Sequence, residues 1–136
     1  MKFLKPAAFA ALMSALAPAA YAEDVINAVH FAPAPSDFTQ EFLRFVEAVN
    51  ERGKGVVRID VKGGPEIIPN PQLGTVQQSG LIDMIHTPAG LYLELVPEGE
   101  VLSASTVTPA EARANGGWDL LDSIYQAKGN AKLLAH

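Results

Sequence analysis

The sequence predicts an α/β fold built on a parallel β-sheet with helical crossovers, and two observations carry that prediction. Three β-prone runs follow one another: VINAVHF (Val25 to Phe31), VVRIDVK (Val56 to Lys62) and LIDMIH (Leu81 to His86). The segments between them are patterned as helices, and strand–helix–strand–helix–strand order brings successive strands parallel.

Each element has its own local cause. The first run ends at the turn around Pro33 and Pro35. In SDFTQEFLRFVEAVNERG the aromatic and apolar residues Phe38, Phe42, Phe45 and Val49 recur at helical spacing. That predicts an amphipathic helix with Ser36 or Asp37 at its N-cap and Gly53 near its C-cap. VVRIDVK alternates, with Val57, Ile59 and Val61 on one face and Arg58, Asp60 and Lys62 on the other. A central parallel strand is apolar on both faces, so this strand belongs at a sheet edge. Asn70 is expected to cap a helix that starts at Pro71 and carries Leu73 and Val76 inward, with Gly80 ending it before the third strand.

Further on, PAGLYLELVPEGE predicts a short helix stopped by Pro97, in which Tyr92 covers the core or stacks on a ligand. Thr108 to Glu111, TPAE, is a capping box with proline at the first helical position, and Asn115-Gly116 closes that helix. WDLLDSIYQAKG places Trp118, Leu121 and Tyr125 on one face and ends at Gly129. The final AKLLAH reads as the opening of another strand, so the chain is expected to be cut short within a larger fold.

The first 22 residues, MKFLKPAAFAALMSALAPAAYA, have the form of a cleaved secretory signal. Lys2 and Lys5 precede an apolar run, and Ala20-Tyr21-Ala22 gives the small-x-small cleavage pattern. The apolar run is shorter than the ~20 residues a bilayer-spanning helix needs. Of the 136 residues, 114 then remain, from Glu23 to His136. Ten basic residues, less Lys2 and Lys5, stand against fifteen acidic ones and leave a net charge of −7. An acidic exported chain with no basic cluster is a poor nucleic-acid binder. Without cysteine it has neither disulfides nor a thiolate for metal or catalysis. The mature chain is expected to be soluble, without membrane insertion.

One loop is too elaborate for a simple connection. KGGPEIIPN, from Lys62 to Asn70, packs two glycines, two prolines and an acid between a strand and a helix. In an open parallel sheet ligands bind outside the carboxyl ends of the strands. Three segments fall there: His30-Phe31, Gly63 to Asn70, and His86 to Pro88. Glycines allow backbone to approach a ligand, and Pro65 and Pro69 restrict the loop beforehand. Glu66 offers a carboxylate and Asn70 an amide to the same crevice. Against this stand plainer roles: a bulge at Gly63-Gly64, a solvated Glu66, a capping Asn70. A second possibility is a small periplasmic enzyme or metal-binding domain, with His30, His86 and Glu66 as a two-histidine-one-carboxylate set. The sequence contains no GxSxG elbow, phosphate-binding glycine loop or HExxH.

In the order of its elements the chain resembles the amino-terminal part of a solute-binding protein of the TRAP transporter, DctP-like type. FLRFVEAVNERGKG, VRIDVKGG, LYLELVPE and above all GGPEIIPNPQLGTVQQSGLIDM carry the likeness, which extends over Val25 to His136. The resemblance implies a periplasmic-binding-protein-like lobe, residues 23–136, truncated before the second lobe. It implies a receptor, not an enzyme, that binds a small organic acid without cofactor or metal and delivers it to TRAP membrane permease subunits. By position it points to Phe31, Glu66, Asn70, Thr87 and Pro88 as ligand-facing. Some family members carry an acid or amide where Phe31 or Pro88 stands, which implies a different substrate here. The family's carboxylate-clamping arginine lies in the second lobe, and Arg44, Arg52, Arg58 and Arg113 do not match it.

Overall fold

In the computed structural model residues 22–135 are described. The signal segment lies outside them, save for Ala22. Three strands, β1 (Asp24–His30), β2 (Val57–Gly63) and β3 (Met84–His86), form a parallel sheet in the order β2-β1-β3. The α/β fold is therefore the one the sequence predicts. Helix α1 (Asp37–Arg52) connects β1 to β2, and α2 (Leu73–Gln78) connects β2 to β3.

The pleat of β1 separates two cores. Ala28 and Val29 are both fully buried and, as neighbours in a strand, face opposite ways. Ala28 packs with Phe42, Val46 and Ile59 beneath α1, while Val29 packs with Ile68, Leu73 and Ile82 beneath α2. Edge strand β2 keeps its polar face in solvent, where Arg58 pairs with Glu23 and Asp60, and Lys62 with Asp60. Such pairs contribute only about 0–1 kcal/mol each, but charges discourage pairing with another chain at an edge.

A third core joins Tyr92 and Val96 to Leu121 and Tyr125 of α5 (Gly117–Gly129). Short helices α3 (Val101–Ala104) and α4 (Pro109–Ala114) lie between. The capping box forms as expected, with the Glu111 amide donating to Thr108 Oγ1 and the Thr108 amide to Glu111 Oε2. Arg113 lies 4.0 Å from the centre of the Trp118 ring.

Four details differ from the sequence-based expectation. On α1 the buried residues are Thr39, Phe42 and Val46, whereas Phe38 and Phe45 are exposed. Gly53 does cap that helix, but Ser36 stands at the N-cap without a side-chain bond. Tyr92 to Glu100 forms no α-helix, and Pro97 opens a 3-10 turn instead of stopping a helix. Residues 131–135 form no strand. Asn130, at φ 49°, turns the chain back along α5, where the Leu133 amide donates to Asp122 Oδ1 at 2.7 Å.

Candidate functional site

Because the three strands are parallel, their carboxyl ends share one edge of the sheet. With β1 in the middle, the chain leaves it toward β2 and later crosses back to β3, and α1 and α2 cover opposite faces. The divergence of the loops after β1 and β3 makes their carboxyl ends a topological switch point, where such sheets hold ligands. Burial along β1 rises toward this end, from exposed Asp24 to buried His30.

His30 and His86 are register partners there. The His30 Nδ1–H donates to the Ala32 carbonyl at 2.7 Å, and Thr39 Oγ1 donates to the same oxygen at 3.0 Å. Since a carbonyl only accepts, Nδ1 carries the proton, and His30 is held in one tautomer. The His86 ring stacks on Phe42 at 4.8 Å with the planes 1° apart. Its Nδ1 is buried without a hydrogen-bond partner among the described residues. Burial pushes the His86 pKa down, nearby His30 adds to this and Glu41 opposes it.

The Gly63–Asn70 loop gains its shape from the ring beneath it. A Cβ on Gly64 would stand 2.5 Å from His30 Cε1 and 2.7 Å from its Nδ1, so only glycine lets the backbone pass so close. Gly63, at φ 144°, makes the turn out of the strand. The Glu66 carboxylate then closes the loop by accepting from the Gly64 amide at 2.7 Å. Ile68 anchors the far side in the core under α2.

Backbone hydrogen bonds, first that from Gly64 and then that from its own amide, hold the Glu66 carboxyl below the usual carboxylate range. A group depressed in the folded state stabilises above its unfolded pKa, and the contribution is lost as pH falls through the folded value. We expect the Gly64 amide resonance to titrate with a midpoint below 4.5, the ordinary glutamate value. A midpoint at or above that value in an NMR pH titration would mean that this contact does not form.

Asn70 does not cap a helix. It is the first residue of a 3-10 turn, Asn70–Gln72, with Pro69 at the N-cap. The two amides its side chain would cap are already taken: Gln72 donates to the Pro69 carbonyl and Leu73 to that of Asn70. Its Oδ1 is consequently buried without a partner among the described residues. Residue order alone does not show this, since a capping role would satisfy that atom.

Of the remaining candidates, Phe31 is half-buried, and its amide donates to the His86 carbonyl at 3.0 Å. Thr87 Oγ1 lies 3.3 Å from the Pro88 carbonyl, and Pro88 is exposed. Sequence reasoning missed Phe38. Its ring lies 5.6 Å from that of Phe31, which in turn lies 5.7 Å from His86. Tyr92 belongs to the core, where its hydroxyl donates to Gln77 Oε1.

The metal-site alternative is not supported. Among the described residues no group of three or more His, Asp or Glu side chains is disposed to hold a metal. Nor does an arginine reach the strand ends in a described contact. Arg44 pairs with Glu41, Arg58 with Glu23 and Asp60, and Arg113 lies on Trp118, while Arg52 stands in the last turn of α1. Two shallow hollows, of about 580 and 340 Å³, flank α1, the larger lined by Leu43, Val46 and Lys54 and the smaller by Phe45, Val49 and Val57. They lie away from the strand ends and from the unpartnered Asn70 and His86 atoms.

No known family profile matches the chain. Among solved structures it is similar to a TRAP periplasmic solute-binding protein from Rhodobacter sphaeroides, determined in an apo, open, partially disordered form. The TM-score is 0.64 at 16% sequence identity, and the match covers 79% of this chain. It covers 36% of that protein, so this chain spans about a third of its length. The shared fold is that of part of a periplasmic-binding-protein lobe.

Proposed function

We propose that this chain is the first lobe of an extracytoplasmic solute receptor of the TRAP type. It binds a small organic acid between two lobes and hands it to membrane permease subunits, without chemical change to the ligand. The observation that carries the reading is the braced loop at the switch point, together with the Asn70 and His86 atoms that are buried without partners among the described residues. Buried polar groups are nearly always hydrogen-bonded, and a ligand or an ordered water at the strand ends would complete these two. The structural likeness to a solute-binding protein supports the same class, as does the form of residues 1–22. Among the described residues no helix is long and apolar enough to cross a membrane.

Phe31, Glu66, Asn70, Thr87 and Pro88 are the ligand-facing residues of this reading, with Glu66 bracing the loop as well as lining it. Asn70 gives the sharpest test. An unsatisfied buried polar atom costs about 1–3 kcal/mol, so Asn70→Ala removes a cost in the free protein. The unfolding midpoint is expected to stay or rise, while affinity for the acid falls about tenfold, the worth of one hydrogen bond. A variant that loses stability but keeps its affinity would make Asn70 a structural residue only. Export is checked separately: amino-terminal sequencing of the periplasmic protein should begin at Glu23, and retention of Met1 would mean an uncleaved anchor.

A further inference from the structure

Every phenylalanine among the described residues stands in one row of ring contacts with His86. Phe38 meets Phe31, Phe31 meets His86, His86 stacks on Phe42, and Phe42 on Phe45. Two members, Phe31 and Phe38, lie at the switch-point end, where Phe31 follows β1 and Phe38 sits in the first turn of α1. Phe38 is 60% exposed and contributes nothing to the buried face of its helix, which is made by Thr39, Phe42 and Val46. A phenyl ring held against another ring at the strand ends, yet left open to water, is a surface that gains by being covered.

The nearby charges show what can cover it. Glu66 braces the loop over His30 and leaves a negative charge there, while Glu41, one turn along α1 from Phe38, is paired with Arg44. A ligand carboxylate directed at this wall would meet the Glu66 carboxylate, and the arginine beside it, Arg44, is already engaged by Glu41. The acid must therefore turn its other end toward it.

Building on the receptor reading above, we propose that the ligand is an aromatic carboxylic acid whose ring lies against Phe31 and Phe38, with its carboxylate pointing away from this lobe. Phe38 then sets specificity through ring contact. This wall selects for a flat body rather than for apolar bulk alone, since offset or edge-to-face rings gain beyond their buried area.

The test is calorimetric titration of the full-length protein with benzoate and 4-hydroxybenzoate against hexanoate and succinate. Hexanoate matches the apolar content without the flat ring, and succinate matches neither. The aromatic acids are expected to bind about tenfold more tightly than either aliphatic one. Phe38→Leu should abolish that preference and Phe38→Tyr should keep it, with circular dichroism confirming the fold; Phe38 is exposed, so neither change empties the core. Equal affinity for hexanoate and benzoate, or a preference that survives Phe38→Leu, overturns the aromatic assignment and leaves the receptor reading standing. If the folded wild-type protein binds no acid of either kind, the acid-receptor reading itself fails and this assignment with it.

Discussion

Phe42→Ala is expected to destabilise the protein by about 3–5 kcal/mol, the usual cost of truncating a buried phenylalanine. The ring is 6% exposed, packs with Ala28, Val46 and Ile59, and supports His86 in a parallel stack at 4.8 Å. Its loss opens a cavity between α1 and the sheet and removes the floor under one strand end. A domain of this size has only about 5–15 kcal/mol in total, so the change removes a large share. Phe45→Ala, by contrast, concerns a ring that is 51% exposed, and it should cost less than about 1 kcal/mol. Urea unfolding of the two variants measures both, read as a shift in midpoint with an unchanged slope. Similar losses at the two positions would mean that α1 packs through a different face.

Gly64→Ala should disturb both stability and binding. The added Cβ would meet two atoms of a ring that is itself 4% exposed and tied by Nδ1 to the Ala32 carbonyl. Since His30 has no room to swing, the loop must lift away from the strand end and release the Gly64–Glu66 bond. Overpacking of this kind costs about 1–3 kcal/mol. The more telling effect is on affinity, because on the proposed receptor reading Glu66 and Asn70 face the ligand, and displaced groups lose their hydrogen bonds. A loss of about tenfold or more is expected. Gly55→Ala is the control: φ is +77° there, but nothing stands within 4 Å of the added carbon. It should show backbone strain of roughly 1–2 kcal/mol and unchanged affinity. Unchanged affinity in Gly64→Ala would remove the loop from the binding site.

Local chemistry made most of the fold legible. The alternation in VVRIDVK identified an edge strand because solvent on one face leaves a period-two record. The TPAE capping box and Trp118, Leu121 and Tyr125 were readable for the same reason, since each involves residues within a few turns of one another. The face of α1 was misread because one of its inward residues is Thr39, a polar side chain satisfied by the Ala32 carbonyl seven residues earlier. Counting apolar residues cannot register a buried threonine. The segment around Tyr92 spaces Tyr92 and Val96 like a helix, yet it buries both from a turn followed by a 3-10 segment. AKLLAH was apolar for another reason, because Leu133 returns to the core beside α5.

The site was legible only in outline. Parallel strand order placed the three loops together, and that required no knowledge of distances. The fit of Gly64 over His30 joins residues more than thirty positions apart, and it depends on the register of β1 and β2. The unpartnered atoms of Asn70 and His86 are likewise consequences of packing. Residue type shows that a group can hydrogen-bond, and only the fold shows that it has nothing to bond to.

On the proposed receptor reading an organic acid seats on the strand ends and not in the hollows beside α1. Hydrogen–deuterium exchange of the full-length protein, with and without a saturating bound acid, tests it most directly. The expected result is added protection at Phe31, from Gly63 to Asn70 and from His86 to Pro88, with no change from Leu43 to Lys54 along α1. Protection gained along that flank, with none at the three strand ends, would contradict the account.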